Sequence, residues 1–319
     1  MRAKKLYFLI FLGWLTACSE TGTEENVYPE PSATTFQPIL FLTGSQGQQT
    51  ITAFRQGDTG FAFLKTIPVT GPRTEAQLPI GKYQFLFAGS YGINTGINSA
   101  TPGVTLFPAM RFSILPDETD PTYIRPGDEL FLQEGKIDSI YLLEGPTTIR
   151  ATLKRAVAQV ILYIKRGYLS STGEYVPQPY QNDSNVRYFS DIRLDIGNAG
   201  TAVDAFGTPE GQGTLSVTLA ANSQDSITPE GFAVYQGPFF FPSADGQPLQ
   251  LKLNLYRRED SPQPDLALTR QATVKRNEQL ILNAWVTSDW NIIAVTADVR
   301  PISRETEGEQ DIWDDNITF

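Results

Sequence analysis

The chain has no histidine in 319 residues. That absence removes Ser-His-Asp and Cys-His catalysis, histidine-ligated zinc or iron, and imidazole pH switching. Cysteine occurs once, at Cys18, so no disulfide can form within a monomer. Positive charge is also short: 25 Lys and Arg stand against 35 Asp and Glu, a net charge of −10. Phosphate backbones are bound by clustered Lys and Arg, so nucleic acid is not an expected partner. The apolar run at residues 6–12 is shorter than a membrane-spanning helix requires. No helix pair repeats along the chain, which disfavours helical-repeat architectures.

What is present begins with a processing signal. Arg2, Lys4 and Lys5 form a positive region, residues 6–12 an apolar core, and Leu15-Thr16-Ala17-Cys18 closes it with small residues before the cysteine. The pattern resembles a bacterial lipoprotein signal with its lipobox, so cleavage before Cys18 and lipidation of its thiol are expected, an uncleaved anchor being the alternative. Cleavage removes 17 residues and three positive charges, leaving 302 residues with 22 Lys and Arg against 35 Asp and Glu, net −13. Residues 18–37 are polar, carry Pro29 and Pro31, and read as a flexible tether. Cys18-Ser19-Glu20 resembles a surface-export signal in which an acidic residue follows shortly after the lipidated cysteine; ordinary linker polarity accounts for it equally well.

The stretch 152–165, TLKRAVAQVILYIK, organises the rest. Read with period two, Ala156, Ala158, Val160, Leu162 and Ile164 share one apolar face. Helical spacing also fits, but Val, Ile and Tyr enrichment and strand-like neighbours favour one long strand. Short β-prone runs at 39–42, 50–54 and 61–67 are separated by turns such as Arg55-Gln56-Gly57-Asp58-Thr59-Gly60. In the run 78–88, Tyr83, Phe85 and Phe87 share a face, and Gly81 permits close backbone approach. Later, Leu249, Leu251, Leu253 and Leu255 alternate in the same way. Such spacing without a convincing helix predicts an all-β sandwich, and 302 residues predict two domains. The expected division is a signal at 1–17, the tether at 18–37, an N-terminal domain at 38–146, a C-terminal domain at 147–303 and an acidic tail or terminal strand at 304–319. Glu144-Gly145-Pro146-Thr147 is the candidate hinge.

Several motifs carry a family resemblance. They are the lipobox at Cys18, Leu78-Pro79-Ile80-Gly81-Lys82-Tyr83, Leu153-Lys154-Arg155-Ala156-Val157-Ala158-Gln159-Val160, Phe240-Phe241-Pro242-Ser243, and Val274-Lys275-Arg276-Asn277-Glu278-Gln279-Leu280. Together they resemble the fimbrillins and fimbrial-anchor lipoproteins of type V pili. The resemblance implies two tandem transthyretin-like β-sandwich domains in an outer-membrane, surface-exposed subunit that polymerises into, anchors or tips a fimbria and contributes to adhesion. It also implies partners: other fimbrial subunits joined by β-strand addition, the outer membrane through lipidated Cys18, and a host or bacterial surface ligand. In polymerising members an arginine-specific protease removes an N-terminal strand, whereas anchors look uncleaved. Arg55 and Arg73 are the candidate cleavage sites here, and residues 292–302 or the tail to Phe319 the candidate donor strand.

The remaining chemistry is sparse. Asp117-Glu118-Thr119-Asp120 and the tail acids lack the burial that raises a carboxyl pKa for glycosidase work, so no catalytic residue is expected. Their spacing does not match a calcium loop, so no metal site is expected. Gly207-Thr208-Pro209-Glu210-Gly211-Gln212-Gly213 lacks a Gly-Lys-Ser/Thr ending and a following helix, so no nucleotide or other cofactor is expected. Trp285 and Trp290 sit in strand-like runs and read as core, while Trp313 in the polar tail could stack on a sugar. A surface glycan-binding lipoprotein is therefore the alternative to a fimbrial subunit.

Overall fold

The computed structural model describes residues 33–42, 49–69, 74–133, 139–178, 189–219, 232–244, 246–258, 261–287 and 291–302, the first stretch by its backbone alone. Within them the chain is almost entirely β. In chain order the strands are β1 (Ala33–Leu42), β2 (Gln49–Gly57), β3 (Gly60–Pro68), β4 (Ala76–Pro79), β5 (Gly81–Gly89), β6 (Thr95–Ile97), β7 (Arg111–Ile114), β8 (Tyr123–Ile124), β9 (Phe131–Gln133), β10 (Ile140–Leu142) and β11 (Thr147–Arg155). They continue as β12 (Ala158–Leu169), β13 (Tyr175–Pro177), β14 (Asp191–Ala199), β15 (Ala202–Asp204), β16 (Pro209–Glu210), β17 (Gly213–Thr218), β18 (Ala233–Phe240), β19 (Leu249–Tyr256), β20 (Leu266–Ala272), β21 (Glu278–Val286) and β22 (Ile292–Pro301).

The first sheet runs β3-β2-β5-β9-β11-β1-β4, with β10 also on β5. It curls until its outermost strands meet, where Lys65 Nζ on β3 donates to the Gln77 carbonyl on β4 at 3.0 Å. The alternation in β5 explains its central place. Tyr83, Phe85 and Phe87 enter one core with Ile51, Leu78, Phe131, Leu142 and Leu153, while Leu86 and Ala88 enter a second.

That second core lies between two further sheets. One runs β13-β12-β21-β22 with β18 on β12; the other runs β20-β19-β14-β17-β8. Val160, Leu162 and Ile164 from β12 and Leu280 and Leu282 from β21 share a core with Ile192, Leu194 and Ile196 from β14 and all four alternating leucines of β19. Two facing sheets with one shared core make a β-sandwich, as the strand spacing predicts. A small fourth sheet, β16-β15-β7-β6, joins early strands to late ones.

Two sequence expectations change here. The stretch 152–165 is not one strand: β11 stops at Arg155 and β12 starts at Ala158, in different sheets. The Ala156 N–H donates to Leu130 O at 2.7 Å and Val157 O accepts from the Asn277 N–H at 2.9 Å, so both backbones bond outside any ladder. The face predicted to be apolar is nonetheless buried throughout, from Ala156 to Ile164. Sheet membership therefore changes after Arg155 rather than at Glu144-Gly145-Pro146-Thr147. β11 follows that turn directly and pairs with β1 in the first sheet. Strand structure also begins at Ala33, ahead of the expected start at residue 38.

Candidate functional site: the first strand and the strand crossover

The first strand fills a slot between two others. β1 runs parallel to β11, from Phe36 opposite Thr147 to Leu42 opposite Leu153. On its other edge it runs antiparallel to β4, from Ala33 opposite Pro79 to Phe36 opposite Ala76. Pro38 lies beyond the β4 ladder, where among the described residues β1 pairs only with β11, so a missing donor on the other edge is tolerated.

Arg55 is not the loop residue that the sequence predicts. It sits inside β2, opposite Ala62 of β3 and Tyr83 of β5, and the turn is confined to Asp58-Thr59. The register shift at Ala53 and Phe54 and the positive φ of Gly60 (131°) let the hairpin stay paired to its end. Arg55 Nη2 donates to Ile80 O at 3.0 Å, in the gap left by Gly81. A Cβ on Gly81 would lie 2.9 Å from Arg55 Nε, and its φ of 156° is one that side chains rarely adopt. Tyr83 completes the cluster by donating its hydroxyl to Pro79 O at 2.8 Å. Burial pushes the Tyr83 pKa up, and the charge of Arg55 opposes the shift only in part.

The crossover from β11 to β12 is held by side chains from both ends of the chain. Arg155 Nε donates to Glu129 Oε1 at 2.9 Å, Arg155 Nη1 to Asn277 Oδ1 at 3.3 Å, and the guanidinium lies 5.0 Å from the Phe131 ring centre. Asn277 adopts a φ of 61°, a turn conformation that asparagine tolerates, and its carbonyl accepts from the Ile302 N–H. Arg276 reaches Phe206 O at 2.9 Å. The Arg-Asn pair thus ties the last described residue to the crossover.

The other candidates distribute as follows. Asp117 Oδ1 accepts from Thr119 Oγ1 and from the backbone of Thr119 and Asp120, which holds its carboxyl below the usual range. Asp120 likewise accepts from Thr122, so these acids close their own turns. Trp285 is buried, stacked on Tyr175 at 5.3 Å with Lys165 Nζ 5.5 Å from its ring centre, and belongs to the core as predicted. Donor candidate 292–302 is, as far as Pro301, the integral strand β22, paired along its length with β21 and burying Val295. Cys18, Arg73, Trp290, Trp313 and the alternative donor 304–319 lie outside the described residues.

No curated protein matches the chain. Solved structures do. A candidate polysaccharide-binding protein from Bacteroides thetaiotaomicron matches with a TM-score of 0.54 at 13% identity, over 85% of this chain and 99% of that one. A candidate adhesin from Bacteroides ovatus matches at 0.52 and 10%, over 85% and 96%. The fimbrial anchor protein Mfa2 of Porphyromonas gingivalis matches at 0.50 and 9%, over 86% and 100%. At such identities these likenesses establish a common fold. The sequence itself carries the assignment, because the family description of the fimbrillin-A associated anchor proteins Mfa1 and Mfa2 matches residues 47–299, most of the chain, and the protein belongs to that family.

Proposed function

We propose that this protein is the base subunit of a surface fimbria, held in the outer membrane by lipidated Cys18, joined to its neighbours by strand addition, and retaining its first strand. The observation that carries the reading is the distribution of cleavable residues. From Cys18 to Phe54 the sequence contains no Lys or Arg, so an arginine-specific protease has no site in the segment joining β1 to β2. Arg55, the first arginine after the signal, is locked in a paired strand. Cutting there would remove Ile51, Ala53 and Phe54, all fully buried, rather than a single strand. A chain that keeps its own strand in the slot suits an anchor better than a polymerising subunit.

Mass spectrometry of the N-terminus of protein recovered from the cell surface tests this. The expected species is acylated Cys18; a new N-terminus at Gln56 or Thr74 would make the protein a proteolytically opened, polymerising subunit. Because β22 is integral to its sheet, the donor assigned here is the tail. Removing residues 304–319 is expected to abolish the covalently trapped or heat-stable complexes with neighbouring subunits while leaving the folded body intact. Unchanged complexes would reject the tail as donor.

A further inference from the structure

We infer that β1 is a shear clamp: the fold holds its tethered strand so that tension on the anchor loads the β1–β11 ladder along its length instead of peeling it. The inference rests on the anchoring role proposed above and adds a mechanical function to it. Its basis is where the two chain ends meet the ladder. The tether leads into β1 at Ala33, beside the Thr147 end of β11. The body leaves at the opposite end. Ile302 bonds to Asn277 and Asn277 to Val157, two residues past the last residue of β11. Tension between membrane and fimbria therefore draws β1 toward its N-terminus and β11 toward its C-terminus.

In a parallel pair those two pulls are opposed along the ladder axis. Every rung from Phe36–Thr147 to Leu42–Leu153 shares the load, and none can open without its neighbours. Had β1 run antiparallel to β11, the same pulls would meet at one end and break the rungs one at a time. The point where load enters is the most heavily bracketed, since Phe36 faces Thr147 on one side and Ala76 on the other. The far end is fixed as well. Arg155 is tied to Glu129 and Asn277, and Ala156 to Leu130, which spreads load into the segments leading to β9 and β21 rather than along the crossover alone. Resistance of this kind is governed by an unfolding rate under load, so it is independent of how stable the protein is at rest.

Cys18 is the sole cysteine, and so serves as one pulling handle in the non-acylated mature chain. A second cysteine placed by Lys154→Cys, at an exposed position near the C-terminal end of β11, loads the ladder directly in shear. Placed instead by Pro146→Cys, at an exposed turn immediately before β11, it puts both handles at the same end and peels β1 away. Single-molecule pulling at one loading rate is expected to give a several-fold higher rupture force for the first pair than for the second, with matching urea midpoints for the two variants. Equal forces, or a weaker first pair, would overturn the clamp. A cleaved N-terminus on cells would instead sink the anchoring role and leave the force ratio untouched, so the two ideas fail separately.

Discussion

Arg155 holds the crossover from both sides, because its partners come from two distant places in the chain, Glu129 and Phe131 before it and Asn277 well after it. Replacing it by Ala leaves Glu129 partly buried without its guanidinium and is expected to cost about 1–3 kcal/mol, read from urea unfolding. Arg155→Lys is expected to recover only part, since an ammonium cannot span both oxygen partners as the planar fork does. Gly81→Ala tests a neighbouring constraint: with Arg55 Nε 2.9 Å from the new methyl, it is expected to cost about 1–3 kcal/mol. Two titrations have opposite signs. Tyr83 has a raised folded pKa, so its contribution is present below the ordinary value of about 10 and is lost as pH rises through the folded one. Tyr83→Phe is expected to flatten the alkaline limb of a stability profile. Asp117 has a lowered folded pKa, so its contribution is present above about pH 4 and is lost as pH falls through the folded value; Asp117→Asn is expected to flatten the acid limb. The role of Gly81 was legible because a glycine at the start of an aromatic strand weakens that strand unless something must approach its backbone closely. The Arg155–Asn277 contact was not, since 122 residues separate its partners and each motif reads locally as strand punctuation.

At the level of the element, β1 should behave as a removable part. A chain beginning at Gln49 is expected to expose the buried edge of β11 that carries Ile149, Ala151 and Leu153, to bind a hydrophobic dye and to melt earlier. A synthetic peptide of the β1 sequence, residues 33–42, is expected to restore the original melting temperature, and failure to do so would mean that the slot collapses once empty. Individual strands were legible wherever one face was buried: in β14 the exposed Arg193 and half-buried Asp195 alternate with buried Ile192, Leu194 and Ile196, and β19 alternates as far as Leu253, beyond which Asn254 and Tyr256 are buried as well. The division of residues 152–165 into two strands was not. A break normally shows as Gly, Pro or a polar pair, but here it falls at Ala156 and Val157, both wholly buried and both compatible with the flanking pattern. The hairpin of β2 and β3 misled in the other direction. Polar residues at Arg55 and Gln56 read as turn, yet cross-strand pairing continues to Gly57.

Across the whole molecule, the early and late parts of the chain are interwoven. β7 pairs with β15, β8 with β17, Gly127 bridges to Phe239, and the larger core draws Phe54, Leu86, Phe107 and Phe112 from before the crossover together with residues up to Val295. Length alone predicts two separable domains, but length carries no information on which strands cross between them. Pairing across the halves couples their unfolding, because opening either one strips backbone partners from the other. Urea unfolding is therefore expected to follow a single transition that coincides by tryptophan fluorescence and by far-ultraviolet circular dichroism. The fragment 156–302, cut where the sheets change, is expected not to fold alone: it lacks β7 and β8, and the carbonyls of Thr201 and Phe239 lose the N–H donors that Ile114 and Gly127 supply. Two resolved transitions, or a cooperatively folded fragment, would show that the halves are independent after all, and would move the site of mechanical yielding from β1 to the boundary between them.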